Sequence, residues 1–291
     1  MPSLPRQSLP ILAAILGLGT YGVMDGFMKA AAIAAGAYSA TFFRNMIGAG
    51  IMAGPWLWRA RSLPGPDALR IHALRGAVTG VMAVLFFYGL ARTPMAEAMG
   101  LTFTAPLVAL YLAAALLHEP VGGRAIAGSL LALGGVGVIA QGKFTGAYDA
   151  ESVKGLGAIL VSSMLYAVNL VLQRKQAQLA APQEIAFFQA LFVTAFLGLG
   201  APLLAHVPSS ETWGYIVAGA ALAGISQLLL SWAYARAEAQ VLVPMEYTAF
   251  VWAALVGWIG FAEPLTWRTL AGVALIVAGC LHAARKVRVP A

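Results

Sequence analysis

The sequence predicts an all-α polytopic membrane protein with ten transmembrane helices arranged as two inverted five-helix repeats. Three observations predict it. The 291 residues are 60% hydrophobic and 10% charged, against roughly 25% charged in soluble domains, so the bilayer must be the solvent for most of the chain. The apolar residues fall into runs of about 20, the length that crosses a hydrocarbon core. One phrase, Glu-Pro-x-x-x-Arg-x-x-Ala-Gly, occurs twice, at Glu119-Pro120-Arg124-Ala127-Gly128 and at Glu263-Pro264-Arg268-Ala271-Gly272.

The first run covers about 10–30. Arg6 before it and the Ala-rich stretch after it imitate a secretion signal, but its length and the internal Asp25 and Lys29 make it a retained helix. Gly36 separates it from the second run, 37–58. Pro64-Gly65-Pro66 precedes the third, 72–91, and Thr93-Pro94 the fourth, 95–117. Pro106 within the fourth removes a backbone donor and permits a kink. Glu119-Pro120 precedes the fifth, 123–141. A polar stretch from Gly142 to Ser152 divides the chain. The remaining runs are 155–174, 184–205, 212–234, 240–261 and 268–285, punctuated by Pro182, Pro208, Glu238 and Glu263-Pro264. No linker is long enough for a soluble domain.

A gap-free shift of 144 residues lays Gly80 on Gly224, Arg92 on Arg236, Thr104 on Thr248, Glu119-Pro120 on Glu263-Pro264 and Gly135 on Gly279. Earlier in the chain the shift is 145, with Tyr21 on Tyr166, Lys29 on Arg174 and Phe42-Phe43 on Phe187-Phe188. The repeats are therefore 1–145 and 146–291. Each holds five helices, an odd number, so the second enters the membrane from the opposite side. Inverted repeats of this kind recur in secondary transporters, where a central site faces each side in turn. Gly128 and Gly135 stand two turns apart on one face of the fifth run, as do Gly272 and Gly279 on the tenth. They permit close helix approach, with the fifth and tenth helices as candidate partners.

The net charge of +7 does not indicate nucleic acid, because the basic residues cluster at the ends of apolar runs. With the N-terminus inside, the inner ends hold Arg59, Arg61, Arg70, Arg75 and the Arg285–Arg288 cluster among others, and the outer ends fewer. Both termini are thus expected in the cytoplasm. The single Cys280 excludes an intrachain disulfide. The four histidines share no ligand spacing with Cys, Asp or Glu, and there is no P-loop or G-x-S-x-G. No metal, cofactor, ATP-driven pumping or enzymatic activity is expected.

Ten helices, the five-plus-five repeat and a Glu-Pro phrase after the fourth helix of each half resemble the drug/metabolite transporter superfamily, EamA type, and within it the YddG-type amino-acid exporters. The resemblance covers nearly the whole chain. It implies an exporter of amino acids or related metabolites in the bacterial inner membrane, with a central cavity lined chiefly by the third, fourth, eighth and ninth helices. A small-molecule substrate and the lipid bilayer are the expected partners.

Intramembrane polar groups are costly and so are candidate functional groups. Gln227, Ser231 and Tyr234 share one face of the eighth run, beside Trp232. The register pairs Tyr88 with Trp232 and Thr102-Phe103 with Glu246-Tyr247. Glu246 lies about 9 Å into its run at 1.5 Å per residue, where it can hold a substrate ammonium or a coupling proton. Asn169 shares a face with Tyr166 and Gln173. These residues, Tyr88, Thr102, Asn169, Gln227, Ser231, Trp232, Tyr234, Glu246 and Tyr247, are the candidate substrate contacts. Asp25, Lys29 and Arg44 form a candidate gate or charge pair, with Asp25 bonded to Lys29 or to Arg44, or Arg44 is a site for a substrate carboxylate. Glu119 and Glu263 are expected to favour a following helix N-terminus, with Pro120 and Pro264 in its first turn. Uniport of amino acids, aromatic or other neutral ones among them, is the expected activity. Proton-coupled export of drugs or other metabolites, and a membrane enzyme or scaffold, are the alternatives.

Overall fold

A computed structural model describes residues 8–59, 63–105, 107–108, 111–112, 123–142, 150–234, 236 and 245–284. Among them there is no strand. The described helices follow in order: α1 Ser8–Ala35, α2 Ala37–Arg59, α3 Pro66–Leu90, α4 Met95–Thr102, α5 Gly123–Gly142, α6 Ala150–Leu179, α7 Pro182–Gly198, α8 Ser210–Tyr234, α9 Thr248–Phe261 and α10 Trp267–Ala284. A one-turn helix, Ala201–Leu204, trails α7.

The boundaries follow local chemistry. Gly36 adopts φ +82 and its N–H bonds the Ala32 carbonyl, which ends α1 and lets α2 begin at once. Pro66 opens α3 and Pro182 opens α7 in the first helical turn, where no backbone donor is needed. Pro264 does not act this way. The chain leaves α9 through Ala262 at φ 52, and α10 begins only at Trp267, where Thr266 accepts from the Thr269 N–H at 3.1 Å. The Glu-Pro phrase therefore precedes the helix rather than starting it. Its first copy, Glu119-Pro120, lies outside the described residues, as does Pro106.

α1, α3, α6 and α8 contain spans long and apolar enough to cross a membrane. Their flanks carry exposed apolar side chains such as Leu12, Leu16, Val161, Met164 and Ile225, which suits contact with lipid rather than water.

The contacts obey the repeat. In the seam between α5 and α10, a methyl group on Gly135 would strike the Gly272 carbonyl and lie 2.9 Å from the Ile276 nitrogen. One on Gly279 would strike the Gly128 carbonyl and lie 2.8 Å from the Ala132 nitrogen. These two contacts exchange when the halves exchange. Gly80 of α3 faces Leu197 of α7, and its counterpart Gly224 of α8 faces Met52 of α2. Gly89 abuts Ile159, and their counterparts Ala233 and Ala14 are buried together. Arg92 stacks 3.6 Å from the Tyr88 ring centroid, and Arg236 stacks 4.4 Å from that of Trp232. A two-fold operation reversing the chain direction across the membrane relates the halves.

Candidate functional site

The axis of that operation passes between Phe103 and Tyr247, which are repeat counterparts and pack edge to face with centroids 5.1 Å apart. Both helices break there. α4 ends at Thr102 and turns through Phe103-Thr104, and α9 starts only after Tyr247. Counterpart threonines bond carbonyls of the preceding turn: Thr104 donates to the Leu101 carbonyl at 2.8 Å, beside its own N–H at 3.1 Å, and Thr248 donates to the Met245 carbonyl at 2.7 Å. Thr102 donates to the Met99 carbonyl at 2.7 Å. Irregular backbone at membrane depth is tolerated where protein or a cavity surrounds it, and paired broken helices mark the binding region in transporters.

Around this break the polar side chains form three groups. At the end where α1 and α3 finish, Lys29 bonds Glu263 and donates to the Thr93 carbonyl at 2.7 Å. The second oxygen of Glu263 accepts the Met95 N–H at 2.7 Å. One carboxylate thus joins α1, the start of α4 and the connection before α10. Lys29 pairs with Glu263 rather than with Asp25, which corrects the local i, i+4 expectation.

At the opposite end Arg75 is buried. Its Nε donates to Asn169 Oδ1 at 2.9 Å, and its other nitrogens reach Gln176 and Gln173, the latter at 3.3 Å. Thr79 also donates to Asn169 at 3.1 Å. Gln176 meets His72 Nδ1, and His72 Nε2 lies 3.1 Å from Glu184. Sequence reasoning assigns Arg75 only to the charge bias of an inner end. Its position one turn before Thr79 on α3 gives no signal, because its amide partners all lie on α6, 94 to 101 residues away.

Between the two ends, Tyr21 donates to Gln227 Oε1 at 3.1 Å, joining α1 to α8. Asp25 lies one turn further along α1, buried. Arg44 of α2 reaches toward α1 and α3, with Nη1 3.6 Å from the Met24 sulfur and its guanidinium 5.4 Å from the Phe87 centroid. Asp25 and Arg44 act on each other electrostatically but form no ion pair. Glu246, just before the α9 break, acts electrostatically on Tyr166, the counterpart of Tyr21.

Asn169 is thus buried, and Thr102, Gln227, Glu246 and Tyr247 are half-buried. Tyr88 and Trp232 sit beneath arginines at the C-terminal ends of α3 and α8, at opposite ends of the bundle. Ser231 and Tyr234 fall on α8, with side chains outside the described residues, as do Glu119 and the side chain of Arg174. No group of three metal-ligating side chains occurs among the described residues.

The profile of the EamA-like transporter family matches twice, over residues 8–141 and 153–284. The chain belongs to the EamA-like transporter family. Its two matched segments coincide with the two halves whose contacts exchange. Similar proteins include the pseudopaline exporter CntI of Pseudomonas aeruginosa, 26% identical over 94% of this chain and 95% of that one. A riboflavin transporter of Brucella anthropi is 24% identical over 76% of this chain and 80% of that one. A probable 4-amino-4-deoxy-L-arabinose-phosphoundecaprenol flippase subunit, ArnF of Klebsiella pneumoniae, is 34% identical over 43% of this chain and 89% of its own. A solved crystal structure superposes with TM-score 0.65 at 22% identity, covering 95% of this chain and 98% of that one, which shows the fold. This EamA-like chain is a membrane protein of a transporter family.

Proposed function

We propose that the chain exports amino acids and related small metabolites, aromatic or other neutral ones among them, across the bacterial inner membrane by alternating access. The observation that carries the reading is the pair of breaks in α4 and α9 at Phe103 and Tyr247, where the two-fold axis crosses the bundle. A site on such an axis meets equivalent walls from either side, so exchanging the conformations of the halves turns it from one side to the other. Aromatic rings beside charged and amide groups suit an organic zwitterion. Thr102, Asn169, Gln227, Glu246 and Tyr247 are the proposed central contacts. Tyr88 and Trp232 flank them toward the ends, Ser231 and Tyr234 are further proposed contacts, and Lys29 with its partners gates one end. The repeats divide at 145/146, and both termini face the cytoplasm.

The transport mode is uniport down the substrate's own gradient. Proton exchange through Glu246 is the second reading, favoured by its electrostatic action on Tyr166 and its place at the α9 break. Efflux from proteoliposomes with and without an imposed pH gradient tests them. Equal rates support uniport. A strong dependence on the gradient that is lost in Glu246→Gln overturns it.

A further inference from the structure

The charges of the interior are settled unequally. Lys29 has Glu263, and Arg75 has three amide oxygens. Arg44 has only a thioether sulfur and the face of Phe87, neither of which neutralises a guanidinium. Asp25 accepts no hydrogen bond from any described group. A desolvated charge without a partner is expensive. Direct bonding would relieve both charges at once, yet the fold holds them near one another and apart. Arg44 also keeps part of its surface accessible although it points between α1 and α3.

We infer that Asp25 and Arg44 form a zwitterion-binding centre, in which Arg44 takes the carboxylate and Asp25 the ammonium of an α-amino acid. This rests on the amino-acid reading above and names the residues that read the backbone of the substrate. Guanidinium matches carboxylate as a planar fork with two parallel hydrogen bonds. The ammonium fills the gap between the two side chains and bonds the Asp25 oxygens. Tyr21 and Gln227, already bonded to each other one turn away on α1 and across on α8, form the adjoining wall. Phe87 lies against the guanidinium and fixes its plane. The substrate side chain is then left to the aromatic groups near the axis, which explains how one centre can accept several amino acids.

The test is counterflow of labelled L-phenylalanine in proteoliposomes of the full chain, with competition by phenethylamine, which lacks the carboxylate, and 3-phenylpropionate, which lacks the ammonium. In the wild type each amputated probe is expected to compete about 30- to 100-fold more weakly, the scale of a lost charge-assisted contact. In Arg44→Gln, L-phenylalanine falls to the level of phenethylamine, whose own competition is unchanged. In Asp25→Asn it falls to the level of 3-phenylpropionate. Arg44→Lys keeps a point charge but not the fork and is expected to lose about 10-fold for L-phenylalanine and nothing for phenethylamine. It separates a binding defect from misfolding, which would weaken all three probes. L-phenylalanine flux with the same probe ratios in wild type and variants overturns the centre and leaves amino-acid transport standing. No binding or flux of any probe by the folded wild type overturns the amino-acid reading, and the centre with it.

Discussion

Lys29 near the end of α1 and Glu263 between α9 and α10 form an ion pair across 234 residues of sequence, and the same carboxylate accepts the Met95 N–H. One bond therefore ties α1 to the connections before α4 and before α10. The side chains are 5% and 15% exposed, so removing one partner strands a buried charge. Lys29→Met and Glu263→Ala are each expected to lower stability by about 3–5 kcal/mol. Glu263→Gln keeps an acceptor for Met95 and is expected to lose less. Thermal unfolding in detergent with a double-mutant cycle measures the coupling; additive losses would show that the pair is not the tie.

The α5–α10 seam gives a paired comparison within single helices. Gly135→Ala, Gly272→Ala and Gly279→Ala each drive a methyl into backbone atoms of the facing helix, which cannot yield as a side chain can. Each is expected to cost about 1–3 kcal/mol, the range for overpacking. Gly134→Ala and Gly137→Ala meet nothing within 4 Å and are expected to be neutral or to gain up to about 1 kcal/mol from helix propensity. Melting temperatures of the five variants decide the matter.

Arg75 is held by geometry rather than by an opposite charge. Its donors fan out to Asn169, Gln173 and Gln176 of α6, a spread that a lysine ammonium cannot reproduce. Arg75→Lys is expected to lose about 1–3 kcal/mol through unsatisfied amides. Asn169→Ala and Arg75→Lys should be strongly non-additive, which a double-mutant cycle reads directly.

The break threonines supply a test of the symmetry itself. Thr104→Val and Thr248→Val each leave one carbonyl, on Leu101 or Met245, without its side-chain donor. Each is expected to cost about 1 kcal/mol. The two losses should match, because the positions exchange under the two-fold. Unfolding curves of the two single variants check this, and a large loss at one position with none at the other would contradict it.

The helices and the repeat were legible because both are written at short range or at one constant offset. Hydrophobic runs marked the segments, and the paired glycines pointed to the α5–α10 packing seen at Gly135 with Gly272 and at Gly128 with Gly279. The polar bonds were less legible. Asp25 and Lys29 stand at i, i+4, which favours a local pair, but the partner of Lys29 arrives from the far half of the chain. Arg75 has the sequence signature of an end-of-helix cation and finds its acceptors on α6. The α4 break shows only as Pro106 in the sequence, and the α9 break follows Pro244 by three residues without containing a proline. These features depend on which helices become neighbours, which residue spacing does not encode.

The glycine seam also bears on how such a protein can change. Its tightest contacts are backbone to backbone, between α5 and α10, and involve none of the charged groups proposed to hold cargo. Substitutions in the seam therefore act on the scaffold without touching those groups. Four glycines thus keep the two halves in register at α5 and α10, away from the groups proposed to hold cargo.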